Sequence, residues 1–312
     1  MQAKLEFAYG VLEQPEKDEN LLYYYCSMET FASIIKSKSI WMRNLLSMND
    51  PSELFLCKID ITKQIIRCYK ENPFEFKFAG EENENAMCAY LHAPHFLFAS
   101  GFNSINNNLF YAVCMSSEED SLSQWRMYAD NGKGVCLGFD KRKILDFIKN
   151  NADYQLQEIE YYENIQSVVD KVCSIILEKI KELYDSKDEE QLNHFVNNIF
   201  SYTMPEWSKY KTSDYAGEKE TRLVYKKHTK KMYMNIDASD IDREFLSDLD
   251  WSLSGGQLDL HTKIGIDDLG LSTITLGPLN NTPKGLLNIL LAKENITIPH
   301  NKLYKSTIPY RG

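Results

Sequence analysis

Two carboxylates and an arginine stand at the entrance of a strand in Glu218-Lys219-Glu220-Thr221-Arg222, where a polar loop beginning at Tyr215 runs into the apolar Leu223-Val224-Tyr225. A second acidic group, Asn49-Asp50-Pro51-Ser52-Glu53, lies far upstream. Asp50, Glu53, Glu218 and Glu220 would together supply oxygen ligands for the metal of a nuclease, but they show no recognisable ligand spacing. The upstream group also fits a helix start, with Asp50 as N-cap, Pro51 at the first helical position and Glu53 three residues after the cap. A ligand-facing role and a capping role for Asn49 and its neighbours both stay open. Arg222 likewise has two readings, a phosphate contact or a salt bridge that neutralises Glu220 across the sheet. The basic run Lys226, Lys227, His228, Lys230 and Lys231 reads as a solvated strand end or as an anion-binding patch. His92 and His95 are separated by Pro94 and have no third ligand nearby, which argues against a metal there.

The stretch that must position such groups is Ser121 to Asp140, SLSQWRMYADNGKGVCLGFD. Trp125, Tyr128 and Ala129 recur at spacings of three and four, which places them on one face of a short helix. Asn131-Gly132-Lys133-Gly134 supplies a turn, and Val135, Leu137 and Phe139 alternate with Cys136 and Gly138 as a half-buried strand should. A tryptophan at helical spacing reads as core. Gly132 and Gly134, lacking Cβ atoms, permit either a tight turn or the close approach of a nucleotide.

The remaining elements alternate between helix and strand. Leu21 to Tyr25 is a short apolar run, Ser27 can cap a helix striped by Phe31, Ile34 and Ile35, and Ile40-Trp41-Met42 returns as a strand followed by Arg43. Ile165, Val168, Val169, Val172, Ile176, Ile180 and Leu183 give the most periodic segment, a long amphipathic helix, with a second helix over 192–200. This predicts a helical insertion at about 165–204, serving as a lid or a dimerisation surface. Residues 1–20 read as an N-terminal arm, and 21–312 as a single domain of the α+β class, with a mixed or mainly antiparallel sheet and flanking helices.

A net charge of −10 with pI near 5.2 disfavours nucleic-acid binding except through a local basic patch. Seven scattered cysteines without a CxxC pair read as reduced thiols in a cytoplasmic protein. No run of apolar residues is long enough for a signal peptide or a membrane span.

LYYYCSMETFASIIKSKSIWMRNLLSMNDPSE, QWRMYADNGKGVCLGFD, GEKETRLVY and ITLGP with STIPYR, in this order, resemble a bacterial family known as domain of unknown function 2971. The order of a short strand, a helix with an Ile-Ile stripe, a further strand and a late Glu-x-Glu is similar, more distantly, to the ADP-ribosyltransferase superfamily. That resemblance implies an ADP-ribosyltransferase-like fold, with NAD as the donor. It implies that Tyr24 stands where the first strand offers a polar residue to the adenine-side ribose, a position at which related sequences often carry His. Tyr128 would stack on nicotinamide, Glu220 would stabilise the oxocarbenium-like charge, and Glu218 would deprotonate the acceptor. Arg43 and Arg222 become phosphate contacts, and Ser27, Asn49 and Trp125 complete the expected binding set.

The implied activity is transfer of ADP-ribose to a nucleic acid or protein, as a toxin or anti-phage defence effector with a partner protein from the same operon. The alternative is a defence module that senses a nucleotide, NAD or ADP-ribose, without turning it over.

Overall fold

The structure, a computed structural model, describes residues 18–45, 61–92, 108–197, 199–228, 243–254 and 257–310. Asn49, Asp50, Glu53 and His95 lie outside the described residues. The strands in chain order are β1 (Leu21–Cys26), β2 (Ser39–Asn44), β3 (Lys77–Phe78), β4 (Glu81–Glu82), β5 (Asn108–Ser116), β6 (Val135–Asp140), β7 (Tyr154–Glu158), β8 (Glu160–Tyr162), β9 (Tyr210–Thr212), β10 (Glu220–His228), β11 (Asp250–Ser254), β12 (Gln257–Gly265), β13 (Leu271–Leu276) and β14 (Leu303–Lys305). The helices are α1 (Met28–Ser37), α2 (Ile61–Glu71), α3 (Asn83–Leu91), α4 (Leu122–Tyr128), α5 (Lys141–Asn150), α6 (Ile165–Asp185), α7 (Glu189–Asn197), α8 (Ile199–Trp207), α9 (Arg243–Leu246), α10 (Ile266–Leu269) and α11 (Lys284–Lys293).

The class is α+β, with a mixed sheet and flanking helices. The main sheet runs β11-β12-β2-β5-β1-β6-β13-β14, with β10 also on β5 and β7 outside β10. Its pairs are antiparallel except β13 with β14. β10 pairs with β5 over its whole length, from Glu220 opposite Ser116 to His228 opposite Asn108. One edge of β5 is thus taken, so β1 and β2 must share the other. β2 holds it at Tyr111 and Ala112, and β1 holds it at Ser116. Between these contacts, opposite Val113, Cys114 and Met115, the sheet forks. The two splayed strand ends are joined by α1, whose N-cap Ser27 accepts from the Thr30 amide at 3.2 Å and whose Phe31, Ile34 and Ile35 are buried.

Alternation along β5 and β10 separates two cores. Tyr111, Val113, Met115 and Leu223 pack with Phe31, Ile35 and Ile40 on the α1 side. Phe110, Ala112 and Val224 pack on the other side with α6 residues Val172, Ile176 and Ile180, and with Ile65, Tyr69, Met87 and Tyr90. The periodic helical segment therefore lays its stripe on α2, α3 and one face of the sheet.

The β5–α4 connection is pinned to β1. The Tyr25 hydroxyl donates to the Glu118 carbonyl at 2.9 Å and accepts from the Ser121 amide at 3.0 Å, while Trp125 Nε1 donates to Asp120 at 2.7 Å. Trp125 and Ala129, four residues apart, are both fully buried with Tyr25, whereas Tyr128 turns outward. The glycine turn is clamped by the chain itself. Gly277 N donates to the Gly134 carbonyl at 3.0 Å, Leu279 N to the Gly132 carbonyl at 2.9 Å, and a Cβ on Gly134 would sit 2.1 Å from the Cys26 carbonyl oxygen. The absent Cβ at Gly134 makes room for backbone from β1 rather than for a nucleotide. Gly132, at φ +83°, occupies a left-handed conformation that itself requires glycine, and its Cβ would meet Pro278.

Tyr23 donates from its hydroxyl to Glu119 Oε2 at 3.1 Å. Burial pushes the Glu119 carboxyl up to about 7 from an ordinary 4.5, with Tyr23 opposing the rise. A group whose pKa is raised in the folded state stabilises fully below its unfolded value and loses that contribution as pH rises through the folded value. The melting temperature of the wild type should therefore fall between about pH 4.5 and 7 more steeply than that of Glu119→Gln. Parallel slopes in differential scanning calorimetry would exclude Glu119 as the source.

Candidate functional site

The fork opens into a cavity of about 560 Å³, within the range of small-molecule sites. Val113, Cys114 and Met115 line it, with Tyr24, Ser27 and Thr30 from the β1–α1 end and Trp41 and Arg43 from β2. Tyr128, Lys211, Tyr215, Glu218, Glu220 and Arg222 line it from α4, β9 and β10 and the turn before β10.

β10 carries the polar part by simple alternation. Val224, Arg222 and Glu220 point to one face, so the strand passes from the helical core directly into the cleft. Arg222 is 1% exposed; its Nε donates to Glu220 Oε1 at 2.6 Å, its Nη2 to Glu220 Oε2 at 3.2 Å, and its Nη1 to the Ser208 carbonyl at 3.1 Å. Glu218 ends the 3-10 turn Ser213–Glu218, and Lys219 at φ 44° reverses the chain into the strand. The Glu218 carbonyl accepts from Ser116 Oγ at 2.7 Å and Gln124 Nε2 at 3.1 Å, which fixes the turn against β5 and α4.

Lys211 ties the carboxylates together. Its Nζ donates to Glu218 Oε2 at 2.7 Å and Glu220 Oε2 at 3.2 Å, and lies 4.5 Å from the centre of the Tyr215 ring. Tyr128 donates from its hydroxyl to the other Glu218 oxygen at 2.5 Å, while its residue remains 41% exposed. Among the described residues, the result is a buried cluster that joins Glu218 and Glu220 to Lys211 and Arg222. Burial alone would raise the Glu220 carboxyl, but the charge and hydrogen bond of Arg222, together with the charge of Lys211, outweigh it and hold the group at about 2. Burial and then the bond to Glu218 push the Tyr128 hydroxyl well above its ordinary value, so it is a neutral donor.

Tyr24, Ser27, Arg43, Tyr128, Glu218, Glu220 and Arg222, expected to act together, all line this one cavity. Trp125 does not; it is fully buried against Tyr25 at 4.9 Å between ring centres, a core position reached through its spacing of four to Ala129. Asn49 lies outside the described residues. Tyr24 projects to the face opposite Tyr23 and Tyr25, since Leu22 and Cys26 share its side, and it reaches the cavity because the sheet is open there. Of the two readings of Arg222, the salt bridge is the one built. Lys211, Tyr215, Gln124 and Ser116 were not foreseen as site residues. The one signal for Lys211 is a lysine beside Tyr210 in a short strand-like run, and its meaning depends on carboxylates that only the fold brings near.

Lys211→Met removes the cation that bonds both Glu218 and Glu220. Removing one partner of a buried pair costs about 3–5 kcal/mol, whereas replacing both is far milder. Urea unfolding should show that loss for Lys211→Met and its partial recovery in the double variant with Glu218→Gln. A single variant within about 1 kcal/mol of wild type would contradict the ionic cluster.

The model of the family described as protein of unknown function (DUF2971) matches residues 124–223. No curated protein and no solved structure matches the chain. The matched segment begins at Gln124 and ends beyond Arg222, so it contains Tyr128, Lys211, Glu218 and Glu220, and over these residues the chain is similar to the DUF2971 proteins.

Proposed function

We propose that the cleft binds NAD and that the protein is an ADP-ribosyltransferase-like enzyme acting on a nucleic-acid or protein acceptor. The observation that carries this reading is the convergence, at one fork in the sheet, of side chains from β1, α1, β2, α4 and β10 with complementary tasks. The exposed ring of Tyr128, held through its hydroxyl on Glu218, suits stacking on nicotinamide and holding it in leaving geometry. Glu220 stays ionised down to about pH 2, as a carboxylate must if it is to stabilise positive charge developing on the ribose. The bond from ribose C1′ to the nicotinamide nitrogen breaks with its electron pair leaving on nicotinamide. The acceptor's lone pair then forms the new bond to C1′, and Glu218 takes the acceptor's proton. Arg43, with no ion pair among the described residues, is available to a phosphate of the dinucleotide. An enzyme of this kind would serve as a toxin or defence effector, with its partner encoded in the same operon.

One observation favours a second reading. Both oxygens of Glu220 already accept from Arg222 or Lys211, which suits a rigid anchor in a module that senses NAD or ADP-ribose and leaves it intact.

Incubation with NAD labelled in the adenine, with nicotinamide release and label transfer both measured, separates the two. The transferase reading predicts release by the wild type and a loss of about 100-fold or more in Glu218→Gln, the usual scale for removing an acid–base group. Glu220→Gln should be at least as inactive; each variant takes a charged partner from a buried cation, Lys211 or Arg222, so the fold of both must be checked by circular dichroism at the assay temperature. A melting temperature raised by NAD without any nicotinamide release would establish the sensor reading instead. Neither effect would remove NAD as the ligand.

A further inference from the structure

The ionic cluster occupies only one end of the cleft. At the other end, β2 presents Ser39, Trp41 and Arg43 to the cavity in alternation, while Ile40 and Met42 between them are buried. Arg43 lies opposite Ala112, and Glu220 opposite Ser116, on the same strand. Four residues along β5 separate the two ends by about 13 Å. A ligand touching both would therefore be extended.

Trp41 is an unusual wall for a polar cleft. It is 43% exposed, yet its indole rests on the ring of His261, with centres 3.9 Å apart and planes inclined by 24°. His261 comes from the neighbouring β12, where it pairs with Arg43. It is 1% exposed, and neither of its ring nitrogens has a hydrogen-bond partner among the described residues. Burial lowers its pKa, opposed by Asp250 and Asp259 and assisted by Lys263 and Arg43. The neutral ring covers one face of the indole and fixes its plane. Trp41 itself lines the cavity. A flat aromatic surface held in advance, with a guanidinium one strand repeat away, is how proteins bind a base beside its phosphate.

We propose that Trp41, backed by His261, is a stacking platform for the purine ring of a nucleotide bound in the cleft, with Arg43 against the adjoining phosphate. The assignment rests on the reading of the cleft as a nucleotide site and adds to it the end at which the base lies. It also gives a function to a buried imidazole that packing alone would fill more cheaply with an aliphatic group.

Calorimetric titration of the full chain with AMP, ADP-ribose and ribose 5-phosphate tests it. The wild type should bind AMP at least about ten-fold more tightly than ribose 5-phosphate, the scale of stacking on an aromatic side chain. Trp41→Ala should erase that advantage without weakening ribose 5-phosphate, and Trp41→Phe should restore most of it. Trp41 is largely a surface group, and His261→Phe, which keeps a ring beneath the indole, should retain AMP binding. AMP binding no tighter than that of ribose 5-phosphate in the wild type, or unchanged in Trp41→Ala, would overturn the proposal. Trp41-dependent AMP binding without nicotinamide release from NAD leaves the platform standing and removes the transferase reading. Nicotinamide release with the same KM in wild type and Trp41→Ala does the reverse.

Discussion

A strand has two edges, and β5 has three neighbours. With β10 filling one edge from end to end, β1 and β2 are forced onto the other, where each holds only a short contact and then diverges. The fork between them is the constraint on which the site depends. It sets β1 and β2 on either side of the cavity, makes α1 the bridge across their splayed ends, and lets side chains from both faces of the sheet reach one space. Tyr24 and Glu220 sit on opposite faces by alternation and still line the same cleft.

The second constraint is electrostatic. Burial alone would raise the Glu220 carboxyl, and Arg222 and Lys211, buried with it within hydrogen-bond distance, keep it ionised; Lys211 also bonds Glu218. The same contacts orient the groups on which chemistry would draw. Tyr128 is steered by Glu218, Glu218 by Lys211, and Glu220 by Arg222, so no member can be altered without disturbing another. This coupling is why a loss of activity at Glu218 or Glu220 is read together with the fold of the same variant.

Much of this architecture was legible in the residues. The alternation of Val135, Leu137 and Phe139, the stripe of α1, its Ser27 cap and the long α6 helix are local patterns, and local patterns survive folding when a core rewards them. The pairing of Glu218 with Glu220 at the start of β10 was visible for the same reason. The fork was not, because it depends on the register of β5 against strands distant in sequence. Lys211 was hidden likewise, since a buried cation acquires meaning only from its partners. Tyr128 illustrates a finer limit. Spacing allowed it on the face of Trp125, but Ala129 filled the core and the tyrosine turned to Glu218. Gly132 and Gly134 allowed a tight turn or the approach of a nucleotide, and the turn is what is built, packed against the backbone of β1 and of residues 277–279.

The central claim, that the fork in the sheet is a nucleotide site, is tested most directly by a crystal structure of the protein soaked with NAD. The expected result is ligand density spanning the cleft opposite Val113–Met115, with nicotinamide against Tyr128 and adenine against Trp41. Density bound elsewhere on the surface, or a cleft closed by continuous pairing of β1 and β2 on β5, would contradict it.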